Sequence, residues 1–113
     1  TIVRGLMDSE DLDAILYPTQ PRRPTRLNTD PTPSFGERRP SPIRYANLTG
    51  FPDLVVPAGF TGNRLPVGIS FLGRAFSEAR LLSLGYAFEQ LTHARRLPIH
   101  TPNVASKSNG QPD

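Results

Sequence analysis

Short hydrophobic runs alternate with turn-forming residues along this chain, which is a pattern typical of an α/β protein. Residues 2–11 can form a short helix, because the apolar side chains share one side and acidic residues follow. The apolar run 13–17 stops at Pro18. Its length and its ending suit a buried strand better than a helix, so we expect the first strand here.

Two more strands are expected after a short helix at 43–49, which Gly50 closes. The β-branched run 54–57 is the first, and we expect Pro57 to end it. Residues 66–72 alternate between larger apolar side chains on one side and the small residues Gly68 and Ser70 on the other. The turn-like composition of 61–64 predicts that the two strands form a hairpin or lie side by side.

The clearest helix is predicted from Ser77 to about Thr92. Ser77 is a good N-cap residue. Apolar residues recur at helical spacing and predict one buried stripe, formed by Leu81, Leu84, Phe88 and Leu91. Basic residues favour a helix C-terminus, and a proline stops a helix. Arg95 and Arg96 are the basic residues that suit the C-terminal end of this helix, and Pro98 is the proline expected to stop it.

The predicted strands have the composition of strands that are buried on both faces, and a small three-stranded sheet does not easily bury both of its faces. Such a sheet also leaves an edge unpaired. The pattern therefore indicates a piece of a larger sheet. We assign residues 1–104 to this segment, including a Pro-rich loop at 18–42 with seven of the thirteen prolines, and 105–113 to a disordered polar tail.

Composition narrows the class of protein. The chain has 113 residues and no cysteine, which allows one domain and excludes disulfides and thiolate metal sites. Neither a membrane-spanning run nor a signal peptide is apparent in the sequence, so we expect no membrane association and a cytoplasmic location. The net charge is +3, but the arginines are scattered without an aromatic ladder, which argues against nucleic acid as a partner.

Residues that could carry chemistry form no convincing constellation. The run 68–73 resembles a nucleophile elbow, yet Ser70 sits inside a predicted strand and the second glycine is one residue too far along. His93 and His100 have no nucleophile assigned to them. The acidic residues at 8–13 lack the spacing of a calcium loop. We therefore assign no catalytic residue, no metal and no cofactor, and the substrate-binding residues stay unknown.

The resemblance to a known family rests on ordered motifs. Residues 46–59 contain Asn47, Gly50 and Pro52 in that order. Residues 65–82 contain a strand with the run Pro-Val-Gly, followed by the start of a helix. The strand at 13–19 precedes both motifs. Together they resemble the C-terminal region of amidase signature enzymes over about residues 1–95. The resemblance implies a large α/β protein with a mixed β-sheet covered by helices, of which this chain would be the C-terminal fragment.

The same resemblance implies hydrolysis of carboxylic amides by a Ser–cis-Ser–Lys triad that lies upstream of these motifs. The chain contains no adjacent pair of serines, and Lys107 is its single lysine. We therefore expect the isolated chain to be inactive. The expected partners are the missing N-terminal part of the amidase, a small-molecule amide bound by the full enzyme, and a second copy where the enzyme forms a homo-oligomer.

Two alternatives stay open. Relatives that serve tRNA-dependent amidotransferases as the A-type subunit carry an aspartate just before the Asn47 motif, and residues 38–49 contain no acid, although Glu37 could substitute if the loop is realigned. This favours a plain amidase. The other alternative is a non-catalytic protein that binds a partner through a sheet edge or through the PxxP segments 18–21 and 21–24.

Overall fold

The described residues form an α/β arrangement of one sheet and three helices. A computed structural model describes residues 2–21, 42–62 and 64–99. In chain order, the elements are α1 (Ile2–Ser9), β1 (Ile15–Pro18), α2 (Arg44–Thr49), β2 (Asp53–Phe60), β3 (Pro66–Leu72) and α3 (Glu78–Thr92). The α/β class expected from the sequence is confirmed. Most of the expected Pro-rich loop, the tail at 105–113 and His100 lie outside the described residues.

The three described strands form one antiparallel sheet in the order β1–β3–β2. Strands β2 and β3 are consecutive and pair directly, which confirms the predicted hairpin. The register places Ser70 of β3 between Tyr17 of β1 and Val55 of β2. Side chains that face one another across a ladder share a sheet face, so these three residues lie on the same face.

The two strand prolines differ in what they do. Strand β1 ends at Pro18, as predicted, whereas β2 continues through Pro57 as far as Phe60, so the predicted end of β2 is wrong. Strand β2 lies at an edge of the described sheet, where a proline nitrogen can face away from the ladder. A register shift between Pro57 and Gly59, with a φ of 129° at Gly59, absorbs the irregularity and extends the strand.

The hydrophobic core lies between the sheet and α3. Val56, Phe71 and Leu81 form its centre, and partly buried apolar residues pack around them. Phe71 and Phe88 meet edge to face, with ring centroids 5.7 Å apart. A Cβ added at Gly85 would collide with Leu54 of β2, so the glycine allows α3 to approach the sheet closely.

Two details of α3 differ from the expected pattern. Leu91 is 85% exposed, because the helix extends beyond the sheet that covers its earlier turns. The helix ends at Thr92, as predicted, and His93 follows it in a left-handed conformation and donates its backbone N–H to Glu89 O. The expected basic residues do not lie in its last turn. Arg96 instead lies over the ring of Phe60, 5.6 Å from its centroid.

One arginine ties the N-terminal segment to the end of β3. The guanidinium of Arg74 donates to the backbone oxygens of Met7 and Leu12 and also pairs with the carboxylate of Asp8. Arg80 of α3 pairs with Asp13 at 2.8 Å. These contacts hold α1 and the turn before β1 against the rest of the fold. In the described part of the chain, no helix combines the length and the apolar character needed to cross a bilayer.

Candidate functional site

A cluster of polar side chains lies on the sheet face opposite α3. We call Tyr17, Thr19, Asp53 and Ser70 the polar cluster. The Tyr17 hydroxyl donates to Asp53 Oδ2 at 2.6 Å, which links the two edge strands across β3. Thr19 Oγ1 and Ser70 Oγ are 2.9 Å apart, and either can donate. The cluster therefore connects all three strands.

The placement of the cluster follows from strand alternation. Successive residues along a strand point to opposite faces of the sheet. Val56 and Phe71 therefore face α3, whereas their neighbours Val55 and Ser70 face away from it. Gly68 shares the face of Ser70, and a Cβ there would lie 3.1 Å from Val55 Cγ1 and 3.3 Å from Thr19 Oγ1. The small residues of β3 thus let the neighbouring side chains close over the strand.

The electrostatics of the cluster are set by the pair Tyr17 and Asp53. Burial, followed by the hydrogen bond and the negative charge of Asp53, raises the pKa of Tyr17 to about 12. Ser70 acts weakly in the opposite direction on the same pKa. The phenol therefore keeps its proton at neutral pH and serves as a donor, not as a base.

One carboxylate oxygen of the cluster has no partner. Asp53 Oδ1 is buried and accepts no hydrogen bond from the residues that the structure describes. A buried polar atom without a partner is rare in native proteins. Within the described residues, this buried oxygen is therefore an unsatisfied acceptor, and the cluster is not built for nucleophilic catalysis.

Ser70 is not arranged as a nucleophile. It is 0% exposed and lies within β3, beside the hydroxyl of Thr19. Activation of a serine needs a base within hydrogen-bond reach, and His93 instead caps α3 on the other side of the sheet. The interpretation of Ser70 as a strand serine agrees with this position.

The other residues considered from the sequence lie apart. His93 lines a shallow pocket with Glu89, Ala94 and Arg95, and this pocket shares no residue with the polar cluster. Of the acidic residues at 8–13, Asp8 forms an ion pair with Arg74 and Asp13 with Arg80. Arg80 lowers the pKa of Asp13 through a hydrogen bond and its charge. No group of three or more potential metal ligands occurs among the described residues.

The partnership of Tyr17 and Asp53 is a feature that sequence reasoning missed. The two residues are 36 positions apart and pair only because both edge strands flank β3. A weak signal existed: Asp53 directly precedes the apolar run 54–56, at a position where an unpaired carboxylate would be costly. The motif residue Asn47 lies exposed on α2, which Gly50 ends in a left-handed conformation.

Comparison with known proteins decides the family. The family model described as Amidase matches residues 2–82. The chain belongs to the amidase family. The match includes the polar cluster and all described elements except the later turns of α3.

Among curated relatives of this amidase-family chain, the A-type subunit of glutamyl-tRNA(Gln) amidotransferase from Desulforudis audaxviator is 40% identical over 103 residues, covering 82% of this chain and 19% of the relative. The putative amidase AmiD of Mycobacterium tuberculosis is 35% identical over 95 residues, covering 79% and 20%. A crystal structure of PAM12A matches with a TM-score of 0.67 and 36% identity, covering 85% of this chain and 18% of that one. The chain thus spans about a fifth of the relatives it matches.

Proposed function

We propose that this chain is the C-terminal part of an amidase signature hydrolase that cleaves a carboxylic amide to an acid and ammonia or an amine. The Ser–cis-Ser–Lys residues that the family resemblance implies would lie in polypeptide preceding residue 1. The observation that carries the proposal is the family match over residues 2–82, combined with relatives about five times as long.

The isolated chain is inactive under this proposal. It contains no adjacent serine pair, and its single lysine, Lys107, follows the matched region. The buried hydroxyl of Ser70 has Thr19 as its neighbour, which cannot act as a base at neutral pH. The chain then contributes part of the sheet, the outer helix α3 and a wall beside the active site of the complete enzyme.

Hydrolysis is favoured over transfer of ammonia to a tRNA-bound substrate. Several curated relatives are named as glutamyl-tRNA(Gln) amidotransferase subunits of the A type, and others as a putative amidase. The resemblance implies an aspartate just before the Asn47 motif in the amidotransferases, and residues 38–49 contain no acid. The amidotransferase is the second candidate, which the names and identities of those relatives favour.

The test begins with the intact mass of the native protein and the coding sequence before Thr1. We expect a mass several times 12.4 kDa and an upstream region with a lysine and adjacent serines. Ammonia release is then measured from a small carboxamide without tRNA. Turnover without tRNA supports the hydrolase, whereas turnover only with glutamyl-tRNA(Gln) supports the amidotransferase. The cytoplasmic location and a homo-oligomer belong to the same proposal, and cell fractionation and light scattering test them.

A further inference from the structure

Two side-chain hydrogen bonds hold the ends of the connection between β1 and β2. Tyr17, in the last turn of the chain before β1 ends, donates its hydroxyl to Oδ2 of Asp53, the first residue of β2, at 2.6 Å. Thr19 follows β1 directly, and its Oγ1 shares a hydrogen bond of 2.9 Å with Ser70 Oγ of β3. The polar cluster therefore lies where the connection leaves one edge strand and enters the other.

Backbone hydrogen bonds fix the same two ends. The Thr19 N–H donates to Gly68 O of β3 at 3.1 Å, and the Gly73 N–H, directly after β3, donates to Pro52 O at 2.9 Å. Each end of the connection is therefore held by one backbone bond to β3 or to the residue after it, and by one side-chain bond within the polar cluster.

The connection is long for the two strands that it joins. Tyr17 and Asp53 are 36 positions apart, whereas connections of more than about 12–15 residues are uncommon in compact domains and are typically functional. Its described part includes α2, which contains no buried residue, and Tyr45 and Leu48 of this helix are exposed. Apolar burial therefore contributes little to holding α2, and its orientation depends on where the chain after it is attached.

We propose that the polar cluster positions this connection for binding of the amide substrate. The bond between Tyr17 and Asp53 sets the orientation of α2, and the bond between Thr19 and Ser70 sets the direction in which the chain leaves β1. The inference rests on the proposed function, since it takes the connection as part of the wall beside the active site. These four are positioning residues that act through the connection, in the way that a rigid scaffold holds a functional loop.

Loss of one of these bonds should raise KM and leave kcat nearly unchanged. A displaced wall loses contacts that the substrate makes equally before and in the transition state, and such a loss raises KM alone. Under the proposed function the catalytic groups lie outside residues 1–113, so a substitution in the cluster does not replace any of them.

The experiment measures hydrolysis of a simple carboxamide by the full-length protein with Tyr17→Phe or Thr19→Val. Each substitution removes one hydroxyl and nearly keeps the shape of the side chain. Tyr86→Phe and Thr92→Val are the matched controls, because Tyr86 is exposed on α3 and the Thr92 hydroxyl bonds only to Phe88 O within that helix. All rates are measured at a temperature at which circular dichroism shows each variant to be folded.

We expect KM to rise about fivefold or more in Tyr17→Phe and in Thr19→Val, which is the effect of one hydrogen bond, with kcat within about twofold of the unmodified protein. Both controls should keep KM and kcat. A role in stability alone would leave KM unchanged in the folded variants, and that result would overturn the inference. A fall in kcat at constant KM would also overturn it.

Hydrogen exchange tests the same bonds without turnover. In Tyr17→Phe, the amides of residues 44–53 should exchange about fivefold faster than in Tyr86→Phe, because α2 loses part of its attachment. Unchanged exchange would overturn the role of the Tyr17 bond in holding α2. Faster exchange with an unchanged KM would refute the substrate role alone, whereas a full-length protein that hydrolyses no carboxamide would refute the proposed function itself.

Discussion

Replacing Tyr17 with phenylalanine isolates the hydrogen bond that links β1 to β2. The substitution removes only the hydroxyl that donates to Asp53 Oδ2 at 2.6 Å, and the ring remains. Asp53 Oδ1 has no donor among the described residues, so the substitution would leave the Asp53 carboxylate without a hydrogen bond from any of them. A hydrogen bond to a charged group contributes about 1.5–3 kcal/mol, and we expect the free energy of unfolding to fall by about this amount.

The assay is urea denaturation, in which the midpoint falls and the slope stays constant. Tyr86→Phe is the matched control, because Tyr86 lies exposed on α3 and should lose less than about 0.5 kcal/mol. A double-mutant cycle with Asp53→Ala completes the test. If the pair interacts as described, the double variant loses less than the sum of the single variants. Equal losses in Tyr17→Phe and Tyr86→Phe would refute the assignment.

Three further substitutions probe other described contacts. Leu81→Ala should lower the free energy of unfolding by about 2–5 kcal/mol, since Leu81 is 2% exposed. Leu82→Ala is the control and should have little effect, because Leu82 is 62% exposed, and urea denaturation of both variants measures the difference. Arg74→Ala should accelerate amide hydrogen exchange in α1, because it removes the donors to Met7 and Leu12; unchanged exchange would contradict that role. Because the pKa of Tyr17 is raised in the fold, its protonated form stabilises the fold fully below about pH 10, and this contribution should disappear as pH rises through about 12. The difference in absorbance titration between the unmodified protein and Tyr17→Phe measures this pKa, and a transition near pH 10 would contradict the prediction.

Local patterns were sufficient to predict most of the elements. The alternation at 66–72 and the β-branched run before Pro57 predicted the hairpin of β2 and β3, and the spacing of Leu81, Leu84 and Phe88 predicted the face of α3 that packs on the sheet. These signals are local, so they need no knowledge of the partner strand.

The end of β2 and the polar cluster could not be predicted in the same way. Whether Pro57 ends a strand depends on whether that strand lies at an edge, which sequence order does not reveal. The pairing of Tyr17 with Asp53 depends on the placement of β3 between β1 and β2. Both facts belong to topology, and a single sequence carries little information about contacts between distant residues.

The exposed position of Leu91 has the same origin. Helical spacing placed it on the stripe with Phe88, but the stripe is buried only as far as the sheet reaches. Periodicity identifies the face of a helix that favours burial, whereas the length of the neighbouring element decides how much of that face is buried.

The central claim is that residues 1–113 belong to an amidase whose catalytic groups lie outside them. The most direct measurement compares ammonia release from a simple carboxamide by the full-length protein and by the purified 113-residue chain at equal molar concentration. We predict turnover by the full-length protein and none above the buffer rate by the chain. Turnover by the chain alone, or a full-length protein that releases no ammonia with or without glutamyl-tRNA(Gln), would contradict the account.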